Sequence, residues 1–202
     1  MTDRYLVVGL GNPGAQYAAT RHNIGQLVVE LLAARFGVPF KKLRGVNAVV
    51  AEARLGAPSA TGGALRIVLA IPGTYMNQTG GPVSALARYF SVPPAQVVAI
   101  HDDVDLPFDS VRLKLGGGEG GHNGLRDITK ALGTKDYLRV RMGVGRPPGS
   151  QQTADFVLSR FTGKERDALP MFLDDGADAT IMLLTSGLLT TQQHYHSKPQ
   201  TG

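Results

Sequence analysis

Two short stretches of this chain, Tyr5 to Leu10 and Val97 to Ile100, are continuously apolar and then break off at turn-forming or polar residues. A strand with one wet face alternates apolar and polar side chains, so an unbroken apolar run of strand length needs cover on both faces. Helical patterns supply that cover. Ile24, Leu27, Val28, Leu31 and Leu32 recur at helical spacing before Gly37 and Pro39, and Val83, Leu86, Ala87 and Phe90 do so after Pro82. The pattern predicts a single α/β domain whose mixed, mostly parallel twisted sheet is flanked by helices.

Further elements follow the same logic. Val46 to Leu55 and Leu65 to Ile71 read as a hairpin around the Ser/Gly/Pro cluster Gly56 to Gly63, and Val111, Leu113 and Leu115 alternate with Arg112 and Lys114 as a strand. A glycine loop from Gly116 to Gly121 precedes a short helix near Leu125 to Leu132, and Tyr137 to Val144 is a strand. Arg146 to Gln152 is a polar Pro/Gly loop, and Thr162 with Glu165 has capping-box spacing for a helix start. Pro170 is expected to end that helix and to open another, which runs past Ile181 and Leu184 to Gly187. Residues 191–202 are expected to be a polar tail.

With 202 residues, 43% hydrophobic and 18% charged, the chain suits one core and excludes disorder. It has no cysteine, which removes disulfide frameworks, thiolate catalysis and iron–sulfur clusters together. No apolar run is long enough for a membrane span and the N-terminus lacks a signal-peptide pattern, so a cytoplasmic protein is expected. Twenty-one Lys and Arg against 16 Asp and Glu give a net charge of +5, which suits a polyanionic partner such as nucleic acid or, equally, a merely basic surface.

Several residues have chemistry to offer. Gly9, Gly11 and Gly14 satisfy the dinucleotide-binding pattern, but Pro13 stands where its helix would begin and no acidic residue follows at the end of a second strand. No nucleophile elbow or P-loop occurs. Of five histidines, His194 and His196 fall toward the polar end, while His22, His101 and His122 each follow a strand or glycine signal and can share one sheet edge. His101 closes the buried strand Val97 to Ile100, and a carboxylate at the end of such a strand is placed to orient an imidazole for general-base work. Asp102, Asp103 and Asp105 beside His101 also leave a metal-dependent reading open, although no helical His pair completes a ligand set and a metal-free site is expected. Asn12, Asn23, Asn77 and Asn123 are neutral groups that both donate and accept, and so can hold a water, a carbonyl and a hydroxyl beside a base.

Five segments, V-G-L-G-N-P-G from Val8, Y-A-A-T-R-H-N-I-G from Tyr17, Y-M-N-Q-T-G from Tyr75, H-D-D-V-D-L-P from His101 and G-G-G-E-G-G-H-N-G-L from Gly116, together resemble the bacterial peptidyl-tRNA hydrolase family in order along nearly the whole chain. The resemblance implies a catalytic domain over residues 1–190 that hydrolyses the ester between a peptide and the terminal ribose of tRNA, without cofactor or metal. It further implies a monomer that recycles tRNA from stalled translation. By the same resemblance His22 is the catalytic base and Asp102 its partner, and Asn12, Asn77 and Asn123 place substrate and water. Met76, His122 and Tyr17 belong to the substrate groove, and Lys114 and Arg141 clamp a tRNA phosphate. Gly73 and Thr79 depart from the family pattern, which has a polar residue and a serine at those places. A binding module that keeps the groove without the chemistry is the remaining alternative.

Overall fold

The computed structural model describes residues 4–56 and 63–197. Most of the expected turn between Gly56 and Gly63, and the end of the chain after Ser197, lie outside them. Seven strands form one sheet: β1 (Arg4–Gly9), β2 (Lys41–Lys42), β3 (Ala48–Leu55), β4 (Leu65–Pro72), β5 (Val97–Asp103), β6 (Val111–Leu115) and β7 (Leu138–Gly143), in the order β2-β3-β4-β1-β5-β7-β6. β1 pairs in parallel with β4 and β5, and β5 with β7, while β3 and β6 run antiparallel to their neighbours. Every strand but those two therefore points the same way.

Among the described residues three α-helices lie between strands, α1 (Ile24–Phe36), α2 (Gly80–Tyr89) and α3 (Asn123–Leu132), and three follow the last strand, α4 (Thr153–Val157), α5 (Gly163–Ser186) and α6 (Leu188–His196). The two-residue period of the strands divides the core between the two faces. Val7, Leu69, Val98, Ile100, Val140 and Met142 pack toward α1 and α5, with Val28, Leu32, Phe172 and Leu183. Leu6, Val8, Val68, Ala70, Val97 and Ala99 pack toward α2 and α3, with Val83, Leu86, Leu125 and Ile128. The continuous apolar runs of β1 and β5 are thus covered on both sides.

Two glycines bring the first helix close enough to matter for the site. A Cβ on Gly25 would lie 1.9 Å from the Ile100 carbonyl oxygen, and one on Gly9 would lie 2.6 Å from that of Gly25. Their absence of side chains lets the start of α1 sit directly on the ends of β1 and β5. A Cβ on Gly11 would likewise meet the Asn23 side chain at 2.8 Å. Gly9 and Gly11 of the dinucleotide-like pattern therefore serve close packing between β1 and the start of α1, whereas Gly14 faces only Gln16.

Three expectations need correction. Pro170 lies inside α5 and neither ends a helix nor opens a second one. A proline forfeits one backbone bond and crowds the turn before it, a local cost set here against the burial of Phe172, Ala177, Ala179, Leu183 and Leu184 along the same helix. Pro82 is the third residue of α2, where its missing N–H is among the unpaired donors of the first turn, so the helix begins earlier than expected, at Gly80. Residues 191–196 form most of α6 and are no solvated tail. Thr191 and Tyr195 are buried there, and Gln192 and His196 bond the backbone of β6. β2 and α4 were not expected at all.

Candidate active site

The carboxyl ends of β1, β4, β5 and β7 open onto a cavity of about 860 Å³. Open α/β sheets gather their ligands at this edge. At its floor stands Asp102, buried in β5, with both oxygens engaged. His22 Nδ1 lies 3.0 Å from Oδ1 and 2.9 Å from Oδ2, and His122 Nε2 lies 2.8 Å from Oδ1.

Helix geometry decides the protonation of His122. It is the N-cap of α3, and its Nδ1 accepts from the backbone N–H groups of Gly124 at 3.1 Å and Leu125 at 3.3 Å. A nitrogen accepting two N–H bonds carries no proton of its own, so Nε2 holds the proton and donates it to Asp102. His122 is thereby turned so that Nε2 faces Asp102. Burial alone would raise the Asp102 carboxyl, but the His22 charge and the hydrogen bonds from His22 and His122 outweigh it and hold the group well below the ordinary carboxylate range. Burial acts to lower His22, and the adjacent Asp102 charge and hydrogen bond overcome it, so that His22 is raised above its usual 6.5. His101 is buried and pushed down to about 3, first of all by desolvation; its Nδ1–H donates to the Asp102 carbonyl oxygen at 2.7 Å.

His22 arrives from a 3-10 turn, Arg21–Asn23, between β1 and α1. Asn23 in that turn accepts from the Asn12 N–H at 2.8 Å and donates to the Asn12 carbonyl at 2.9 Å, and Asn12 Oδ1 accepts from the Met76 N–H at 2.7 Å. Asn77 follows in the turn Met76–Gln78, which Thr79 closes through a bond from its hydroxyl to the Met76 carbonyl at 2.9 Å. A serine hydroxyl would make the same bond, which accounts for the tolerance of threonine here. Asn123 is the first residue of α3.

The other end of the cavity is basic. Alternation along β6 and β7 places Arg112, Lys114, Arg139 and Arg141 on one face of the sheet, with Lys114 opposite Arg139 and Arg112 opposite Arg141. Arg139 is buried and spends its guanidinium on the carbonyls of Gly117 and Gly118. Lys114 and Arg141 line the cavity. Lys114 is lowered by partial burial and by both arginines, and Arg141 Nε donates to Asp103 Oδ2 at 2.8 Å.

Nine of the ten residues expected at the site line this cavity: Asn12, His22, Met76, Asn77, Asp102, Lys114, His122, Asn123 and Arg141. Tyr17 does not. It stands edge-on to Tyr75 with ring centroids 6.4 Å apart, and Tyr75 is the ring that reaches the cavity. The alternative cluster of His101 with Asp102 and Asp103 does not converge, because Asp102 turns to His22 and His122 while Asp103 turns to Arg141. The atoms that could together hold a metal ion are those of His22, Asp102 and His122, within 4.8 Å of one another among the described residues. Thr153, Ala154, Val157 and Leu158 of the α4 region form a wall that nothing in the sequence marked.

The family model for peptidyl-tRNA hydrolase matches residues 6–201. A peptidyl-tRNA hydrolase of Pseudarthrobacter chlorophenolicus is 57% identical over 202 residues, covering 100% of both chains. One from Mycobacteroides abscessus is 52% identical and covers 96% of both. The crystal structure of the Acinetobacter baumannii peptidyl-tRNA hydrolase superposes with a TM-score of 0.84 at 30% identity, covering 98% of this chain and 96% of that one. With its fold and nearly its whole length shared in this way, the chain belongs to the bacterial peptidyl-tRNA hydrolase family and is a hydrolase.

Proposed function

We propose that the cavity hydrolyses the ester joining a peptide's carboxyl end to the terminal ribose of tRNA, with His22 as general base and Asp102 as its orienting partner. The supporting observation is the contact of His22 Nδ1 with both oxygens of a buried, ionised Asp102. That bond places the ring's proton on Nδ1 and leaves the Nε2 lone pair for a water molecule. As the water oxygen attacks the ester carbonyl, Nε2 takes its proton and the carbonyl oxygen becomes an oxyanion. Asn12, whose Oδ1 and backbone N–H are already engaged, has Nδ2 to offer that oxygen. When the tetrahedral centre collapses, the C–O bond to the ribose breaks and the His22 imidazolium returns its proton to the leaving oxygen. Asn77 and Asn123 hold the substrate on either side. Lys114 and Arg141 take a tRNA phosphate, which supplies affinity with little sequence reading.

The grouping of His22, Asp102 and His122 also suits a metal-assisted reading, which we do not favour. A metal would have to bind His122 at Nε2, which would drive the ring proton to Nδ1, against two backbone N–H groups. Turnover that survives a chelator supports the metal-independent route. The decisive assay measures release of free tRNA by His22→Ala with binding followed in parallel. Loss of about 10² to 10⁴ in rate is expected for a lost general base, with binding kept. Undiminished turnover would remove His22 as the base.

A further inference from the structure

Arg21 precedes the base, is 3% exposed and does not line the cavity. The 3-10 turn it shares with His22 and Asn23 has three residues per turn, so three consecutive side chains leave in three directions. His22 goes to Asp102 and Asn23 to Asn12. Arg21 goes to the segment that runs from α4 into α5, where every part of its guanidinium is engaged. Nη2 lies 2.7 Å from Glu165 Oε2 and Nε 3.4 Å from Oε1, Nη1 donates to the Phe156 carbonyl at 3.2 Å and to the Ser159 hydroxyl, and the group lies 4.1 Å over the Phe156 ring. The Arg21 N–H also donates to the Ser159 carbonyl at 3.1 Å.

Glu165 has a second duty. It is the third residue of α5 and closes the capping box by accepting from the Thr162 N–H at 2.6 Å. One carboxylate thus fixes both the start of α5 and the residue before His22. A buried ion pair is seldom more stabilising than an apolar replacement of similar volume, so its worth lies in the geometry it specifies. Here that geometry is the distance between a turn following β1 and a carboxylate at the end of β5.

We infer that Arg21 is a positioning residue for the reaction: clamped by Glu165 and the 156–159 backbone, it sets where His22 stands over Asp102 and ties that position to the α4 wall of the cavity. The inference rests on the reading of His22 as the base. Glu165→Gln separates its two duties, because glutamine still closes a capping box while the charge on Arg21's partner is gone. Arg21→Lys keeps the charge and loses the fork. Displacements of about 1 Å at a reacting group can cost on the order of 10²-fold. The expected result is a kcat about 10-fold lower in Glu165→Gln and about 10²-fold lower in Arg21→Lys, with KM for peptidyl-tRNA unchanged within about twofold.

Thr162→Ala is the control. It weakens the same helix start and removes the Thr162 hydroxyl from Glu165 while leaving the Arg21–Glu165 bonds in place, and should lower the melting temperature while leaving kcat as in wild type. Wild-type kcat in folded Glu165→Gln and Arg21→Lys would overturn the inference. So would a kcat loss in Thr162→Ala as large as that in Glu165→Gln, because the effect would then be one of helix stability. Should Arg21→Lys fail to fold, Glu165→Gln still decides. His22→Ala assayed alongside keeps the two readings apart: activity in that variant removes the base assignment itself, whereas a silent His22→Ala beside full-speed clamp variants removes only the clamp.

Discussion

The two ends of the cavity are built on opposite physical terms. At the β5 end, Asp102 and the two histidines are mostly withdrawn from water, with 2% side-chain exposure for Asp102, 8% for His122 and 12% for His22. Each bond there fixes the next: α3 sets the tautomer of His122, His122 sets one face of Asp102, and Asp102 sets His22. At the β6 end, Lys114 and Arg141 are half-buried, reach toward solvent and act as charges whose exact direction matters less. Short-range order in a dry pocket suits chemistry, which fails with small displacements. Screened, partly redundant charge suits the capture of a polyanion, which must tolerate many approaches.

The contrast is broken most severely at Asp102. In Asp102→Asn the His122 Nε2–H still needs an acceptor, so the amide oxygen must face His122 and the amino group His22. His22 Nδ1 then has to accept, which moves its proton to Nε2, the nitrogen that should receive one from water. A fall in kcat on the order of 10⁴ is expected, as for the same substitution in serine proteases, where it leaves geometry intact and inverts the tautomer. The pH profile sharpens the test. On the proposed reading His22 works only when neutral, and Asp102 raises it above 6.5, so the wild-type kcat/KM should climb through a midpoint above 6.5 as pH increases. Removing the carboxylate leaves burial as the dominant influence, and the residual activity of Asp102→Asn should show that midpoint shifted to lower pH. A variant with near-normal turnover, or a midpoint that does not move, breaks the proposed coupling at the β5 end.

The basic end should yield a smaller effect of another kind. Lys114→Ala with Arg141→Ala is expected to weaken tRNA binding at moderate salt and to flatten the dependence of log K on log salt by about 0.7 to 0.9, as one phosphate fewer is neutralised and fewer counterions are released. The rate of the bound complex should change little. Arg141→Ala alone should cost more than Lys114→Ala alone, because it also uncovers the Asp103 carboxylate beside the phosphate. Binding titrations across a salt series check both statements. An unchanged slope would mean that the phosphates are met elsewhere.

How much of this was readable in the chain differs by the range of the interaction. Strands such as β1 and β5 declare themselves because burial on two faces removes every polar residue from the run. The site residues declare themselves through short motifs, yet a motif carries residue type and not direction: Tyr17 belongs to one and is turned to Tyr75, not to the cavity. Arg21 lies in the same motif as His22, but its meaning depends on Glu165, 144 positions away. Pro170 misled because the helix penalty of a proline is local, whereas the burial along α5 that opposes it belongs to the whole fold. α4 has only five residues, too few for a period, and is held by what it packs against.

α6 gives the last and smallest test, again by contrast with the β5 end. β6 is an edge strand, and edges left bare invite pairing with other chains. Here side chains replace the missing strand: His196 Nε2 accepts from the Leu113 N–H at 3.1 Å, and Gln192 donates to the Leu113 carbonyl at 3.0 Å. His196 can accept only while neutral, and partial burial together with Arg112 and Arg141 lowers it from 6.5 in that direction. His196→Ala leaves the Leu113 N–H without its acceptor, a loss of about 1 kcal/mol, and the melting temperature should fall by about 2–4 °C for a chain of this size. The turnover of the bound complex should remain that of wild type, because in the proposed function the strand supplies a binding charge and no part of the proton relay. A large drop in kcat in this variant would mean that the edge of the sheet and the histidine–aspartate cluster are mechanically linked, and that the division between the two ends of the cavity is not the one their exposures suggest.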